Sequence, residues 1–254
     1  AAALAALARE AGGCLEIVAE DGVEVLVEVV AGGAPGARAA AMRALTEIGA
    51  HPRGLAAALD ADAPQAVLQR FQAAGAGDER AIAARALAVF TTGANGADAL
   101  TRAGAAEALV RVLCQGSGSR GARSHILQAL AHIAGQCHGR ERMLAAGSVG
   151  LLLQNLEAKA SEQRALAARG IAELVSAGGK ACEDALEAGA VVHLVRLLEA
   201  KSAKERVSAA AALSFIARYT CNLPAAGAIA AASEMATAAG ALIETVSGDS
   251  AVGR

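Results

Sequence analysis

A short apolar pattern returns six times along this chain at an almost constant interval, and that periodicity limits the possible folds more than any single residue does. Its opening Leu or Ile falls at Leu4, Leu45, Leu87, Leu130, Ile171 and Leu213, with successive spacings of 41, 42, 43, 41 and 42 residues. A second marker, Leu26, Val67, Leu109, Leu152 and Leu194, keeps the same beat at 41, 42, 43 and 42. Two markers sharing a period of this length indicate one supersecondary unit copied end to end, each copy burying its apolar side against its neighbours.

Hydrophobic residues make up 55% of the 254-residue chain, yet aromatics only 2%, so the apolar content is largely alanine with leucine and valine. Alanine is the strongest helix former and lets helices approach closely. Four prolines and no sustained alternation of β-branched residues complete an all-α reading.

The charge balance, 23 basic against 25 acidic residues, provides no broad field for a polyanion, and one Tyr, three Phe and no Trp leave little for bases to stack on. Nucleic acid is therefore not an expected partner. Cys14, Cys114, Cys137, Cys182 and Cys221 are odd in number and lack a C-x-x-C pair, so they read as small buried thiols in a reducing compartment, with no disulfide framework or zinc knuckle. The most apolar stretch, 225–246, carries Ser233, Glu234 and Thr237, which argues against a membrane span. The chain starts at Ala1 with no signal-peptide pattern, and Leu4 falls where the last helix of a unit belongs, so the sequence reads as beginning inside a repeat.

The clearest unit runs from about Gly179 to Tyr219: a short helix, a corner at Gly189, a second helix with apolar positions at Val191, Val192, Leu194, Val195, Leu197 and Leu198, then a longer third helix. Gly104, Gly147 and Gly189 recur at that corner, as a sharp turn between helices requires. In the second unit the glycine is missing, and Pro64 marks the first helical turn instead. The loop around Gly116–Gly121 lacks the Lys-Ser/Thr of a phosphate-binding loop and reads as a flexible connector.

This unit resembles the armadillo repeat. The segments AGAAEALVRVL at 103–113, AGSVGLLLQNL at 146–156 and AGAVVHLVRLL at 188–198 look like the family's second helix, and ALTEI at 44–48, ALAHI at 129–133 and ALSFI at 212–216 like its third. The related HEAT helix-pair repeat is the competing reading. The resemblance implies a right-handed α-solenoid of about five to six three-helix repeats, a single armadillo-like domain over 1–254. Its expected parts are the last helix of an incomplete repeat at 1–11, repeats at 12–49, 50–92, 93–136, 137–178 and 179–220, and an atypical or truncated repeat at 221–254.

In the third helices the inward stripe is the marker and the residue three further on, so positions two before and two after the marker face outward at ~100° per residue. The −2 series is Arg43, Arg85, Gln128, Arg169 and Ala211, and the +2 series is Glu47, Val89, His132, Glu173 and Phe215. By resemblance these residues line a concave groove. The asparagine and tryptophan ladders with which nuclear-import members clamp a peptide are absent, and a broken arginine row stands in their place. Arginine presents a fork of donors to carboxylates, so the expected partner is a protein carrying an acidic extended segment, held by Arg43, Glu47, Arg85, Gln128, His132, Arg169, Glu173 and Phe215. The plainer reading is that Arg43–Glu47 and Arg169–Glu173 are i,i+4 ion pairs on a solvated helix. Phe215 reads either as an anchor for a partner side chain or as packing for the last unit.

The five histidines are scattered over different repeats, His132, Cys137 and His138 do not match a metal-ligand frame, and no nucleophile sits in a strained turn. The expectation is a non-catalytic interaction scaffold without cofactor or metal, in the cytoplasm or inside a cilium or organelle. The alternative is a structural subunit built permanently into a large complex.

Overall fold

In the computed structural model, residues 11–75, 77–116 and 119–221 are described. The incomplete repeat expected at the N-terminus, the atypical repeat expected after residue 220 and the apolar stretch 225–246 lie outside them, apart from Ala11 and Cys221. The described residues form fifteen α-helices and no strand. They are α1 (Ala11–Ala19), α2 (Gly22–Gly32), α3 (Pro35–Gly49), α4 (Pro52–Asp60), α5 (Ala63–Ala73), α6 (Asp78–Phe90), α7 (Ala94–Arg102), α8 (Ala105–Cys114), α9 (Arg120–Ala134), α10 (Cys137–Ala145), α11 (Ser148–Leu156), α12 (Ser161–Val175), α13 (Lys180–Glu187), α14 (Ala190–Leu197) and α15 (Ala203–Cys221).

Two short helices and one longer one recur throughout, and the chain divides into two compact units, Ala1–Ala146 and Gly147–Arg254. In the first unit like packs on like: α1 against α4, α2 against α5, α7 against α10, and the third helices α3, α6 and α9 in sequence. In the second unit, α11 lies against α14 and α12 against α15. Each helix therefore buries its apolar stripe against its own repeat and the corresponding helix of the next.

The inward stripe is where the periodicity places it. Leu45, Ile48, Leu87, Phe90, Leu130, Ile133 and Ile216 are fully buried, and Ile171 and Leu174 are 1% exposed. Leu213 departs from the pattern and is half-exposed, although its helix α15 packs on the third helix α12.

The corner between first and second helices needs a left-handed residue, and Gly104 (φ +83°), Gly147 (+70°) and Gly189 (+71°) supply it. In the first two repeats aspartate takes the same conformation, Asp21 at φ 52° and Asp62 at φ 53°. Asp tolerates this region better than most residues with a Cβ, so the repeat containing Asp62 keeps its corner without a glycine. Pro64 occupies the first turn of α5, as its fixed φ favours.

A different glycine series governs close approach. A Cβ at Gly54, Gly96 or Gly139 would stand 2.2, 2.0 and 2.0 Å from the carbonyl oxygens of Ile48, Phe90 and Ile133. The first helices α4, α7 and α10 therefore leave the preceding third helix at a distance that only a hydrogen side chain allows.

Candidate partner-binding faces

The two units carry separate third-helix faces. In the first, Arg43 on α3, Arg85 on α6 and Gln128 on α9 occupy one register; the two arginines are exposed and Gln128 is half-buried. Glu47, Val89 and His132, one turn further along, are half-buried. In the second unit, Arg169 on α12 is exposed, Glu173 half-buried, and Ala211 and Phe215 on α15 half-buried.

The expected i,i+4 pairing is corrected by the geometry. Glu47 does not pair with Arg43; its Oε1 accepts from Arg85 Nη2 on the next third helix at 3.1 Å. The adjacent helix reaches Glu47 because α3 and α6 lie side by side, so the bond joins two repeats. Arg169 and Glu173 form no ion pair within 4.0 Å, and the Arg43 guanidinium has no carboxylate within that distance among the described residues. His132 is likewise tied between repeats: its Nδ1 lies 3.1 Å from the Thr91 hydroxyl at the end of α6.

Phe215 borders an open cleft of about 230 Å³ with Arg218 and Tyr219 of α15, the end of α12 at Val175 and Ser176, and the Ala177–Gly179 turn. Tyr219 donates its hydroxyl to Glu183 at 2.7 Å, and this bond raises the Tyr219 pKa above its ordinary value. Gly178 (φ +74°) brings the turn close to the Tyr219 ring, where a Cβ would stand 3.3 Å from Cδ2.

A second arginine series carries a periodic signal in the sequence: Arg38, Arg80, Arg123, Arg164 and Arg206 are spaced by 42, 43, 41 and 42. Each sits early in a third helix and folds back on carbonyls at the end of the helix before it. Arg38 donates to Gly33 at 2.9 Å, Arg123 to Gly116 at 2.9 Å, Arg164 to Ala158 at 2.8 Å, Arg206 to Ala200 at 2.8 Å, and Arg80 to Ala74. These carbonyls have no helical partner of their own, and the cation also answers the negative end of the helix dipole. These arginines are framework, tying third helices to the helix ends that precede them.

Of the five free cysteines, Cys14 and Cys182 are buried, and desolvation raises the Cys182 thiol to about 11. Cys114, Cys137 and Cys221 are exposed, contrary to the expectation of buried thiols, because each lies at the end or start of a helix outside the apolar stripe. Among the described residues, no three His, Cys, Asp or Glu side chains come together as a metal ion would require, and no helix is long and apolar enough to cross a membrane.

Solved structures share this arrangement. An engineered protein is 28% identical with a TM-score of 0.79, covering 86% of this chain and 89% of that one. A designed armadillo repeat protein is 22% identical with a TM-score of 0.77, covering 85% and 91%. The fold is an armadillo-like repeat fold. A further designed armadillo repeat protein, determined in complex with the peptide (KR)4, is 21% identical to this armadillo-like chain with a TM-score of 0.75, covering 84% and 90%. No family model and no curated protein matches the chain.

Proposed function

We propose that this protein is a non-catalytic scaffold whose third-helix faces, each within its own unit, hold acidic, extended segments of a partner protein. The observation that carries the reading is the state of the outward arginines. Arg43 and Arg169 are exposed with no carboxylate within ion-pair distance among the described residues, and Arg85 is 52% exposed while bonded to Glu47 at one nitrogen. Arg43 and Arg85 stand on adjacent packed helices, and a planar guanidinium can bond a carboxylate through two nitrogens.

The fold supports peptide binding in principle, since a designed protein of the same fold has been determined with (KR)4. That peptide is basic, whereas an arginine row calls for the opposite charge. In the second unit, the cleft beside Phe215 offers a recess for a partner side chain.

The test is fluorescence anisotropy with a labelled (Glu-Ala)8 peptide and a (Lys-Ala)8 control. The acidic peptide should bind with an affinity that falls as salt rises, and Arg43→Ala, Arg85→Ala and Arg169→Ala together should abolish it. Unchanged binding by the triple variant would refute the arginine reading.

A further inference from the structure

Among the outward arginines of α3 and α6 stands an acid of the chain's own. Glu47 lies one turn beyond Arg43 on α3, and its carboxylate crosses to α6, where Oε1 accepts from Arg85 Nη2 at 3.1 Å. Within each unit the other rungs of this register hold Val89 with Gln128 and Glu173 with Ala211, so among the described residues of either unit acid meets arginine on this rung alone. Glu47 also has the sign of the segment that the face is proposed to hold.

Its bond limits what Arg85 can offer. A guanidinium takes a carboxylate through two nitrogens along one of two edges, Nε with Nη2 or Nη1 with Nη2. Arg38 uses the first edge on Glu79, with bonds of 2.7 and 3.1 Å. Nη2 belongs to both edges, so Glu47 engages the nitrogen that either fork needs and leaves at most one edge whole. The Glu47 side chain is 21% exposed and that of Arg85 52%. The acid is the better seated of the two, while half of the arginine stays open to an incoming group. A carboxylate arriving there meets the guanidinium and, beside it, a like charge in a half-buried position that salt screens less than an exposed one.

We propose that Glu47 is an internal competitor at this face: its carboxylate occupies Arg85 in place of a partner's and lowers the affinity of the face for acidic segments. The inference rests on the acidic-segment reading and adds to it the residue that holds such binding in check. A place in the outward row suggests a side chain that grips the partner, but the charge of Glu47 and its bond to Arg85 give it the opposite effect.

Fluorescence anisotropy of the full chain with labelled (Glu-Ala)8 tests this, with circular dichroism to verify that each variant is folded. Glu47→Gln keeps an acceptor oxygen for Arg85 and removes only the charge, so it should tighten Kd by about two- to fivefold, the scale of one partly exposed charge pair. In an Arg85→Ala background the gain from Glu47→Gln should shrink, since no guanidinium is left to compete for. Asp60→Asn, which removes an exposed acid from the first helix α4, should leave Kd unchanged. If the wild type binds and Glu47→Gln leaves Kd unchanged or weakens it, the role given to Glu47 is overturned and the acidic-segment reading stands; weakening would mark an acid that serves to hold Arg85 in place. A gain matched by Asp60→Asn, or undiminished without Arg85, would also overturn it, because the charge would then act through the general field. If neither the wild type nor Glu47→Gln binds the acidic peptide, both readings fall together.

Discussion

Arg38 holds Glu79 across a repeat boundary by two parallel bonds, Nε to Oε1 at 2.7 Å and Nη2 to Oε2 at 3.1 Å, while its third nitrogen caps Gly33. One guanidinium therefore closes the end of α2 and ties α3 to α6. The bond from Arg38 holds the Glu79 carboxyl below its ordinary range. A carboxylate more acidic in the folded protein than in the unfolded chain contributes stability that is whole above the unfolded value of ~4.3 and is lost as the pH falls through the folded value. Glu79→Gln should therefore cost about 1 kcal/mol at neutral pH and flatten the acid side of a plot of urea midpoint against pH.

The same boundary in the second unit is drier. Glu205 is 1% exposed and receives Arg164 Nε at 2.6 Å. Arg164→Ala leaves a buried carboxylate without its partner, which should cost roughly 3–5 kcal/mol in chemical denaturation. Arg206→Ala removes a guanidinium that is exposed and caps carbonyls only, and it should cost less than about 1.5 kcal/mol. Equal losses for the two would contradict this division.

Arg80 shows what the ladder lacks. Its Nη2 caps Ala74, but its buried Nε has no partner, and Ala122 occupies the register that Glu79 and Glu205 fill for Arg38 and Arg164. Ala122→Glu should supply the missing acceptor and raise stability by about 0.5–1.5 kcal/mol, read as a higher melting temperature.

Two glycines should respond in opposite directions. Gly96→Ala forces a Cβ to within 2.0 Å of the Phe90 carbonyl oxygen and should destabilise by at least ~2 kcal/mol. Gly150 is exposed in α11 with nothing within 4 Å of a new Cβ, so Gly150→Ala should stabilise by about 0.5–1 kcal/mol.

Thiol labelling gives an independent check on burial. Three cysteines, Cys114, Cys137 and Cys221, should react quickly in the native protein. Cys14 and Cys182 should react only on unfolding, as both are buried and desolvation raises both thiols.

Much of this fold is legible in the sequence because a repeat states its pattern several times. The marker residues from Leu45 to Ile171 are all buried as their spacing requires, and among the described markers Leu213 alone is half-exposed. Contacts set by neighbouring repeats were harder to read. Helical spacing joins Glu47 to Arg43, but the adjacent helix brings Arg85 closer, and a one-dimensional rule cannot choose between a residue four positions away and one 38 away. The corners at Asp21 and Asp62 are less legible because glycine is the plain mark of a left-handed turn, although both keep the shared spacing. The capping arginines from Arg38 to Arg206 were equally periodic, and their role appears only when the helix ends they answer are seen in place.

The central claim is that Arg43, Arg85 and Arg169 choose the partner by charge, and reversing them tests it most directly. Arg43→Glu, Arg85→Glu and Arg169→Glu in one chain, titrated with labelled (Glu-Ala)8 and (Lys-Ala)8, should exchange the preference from the acidic peptide to the basic one. A variant that keeps the wild-type preference, or a wild-type protein that binds both peptides alike, would contradict it.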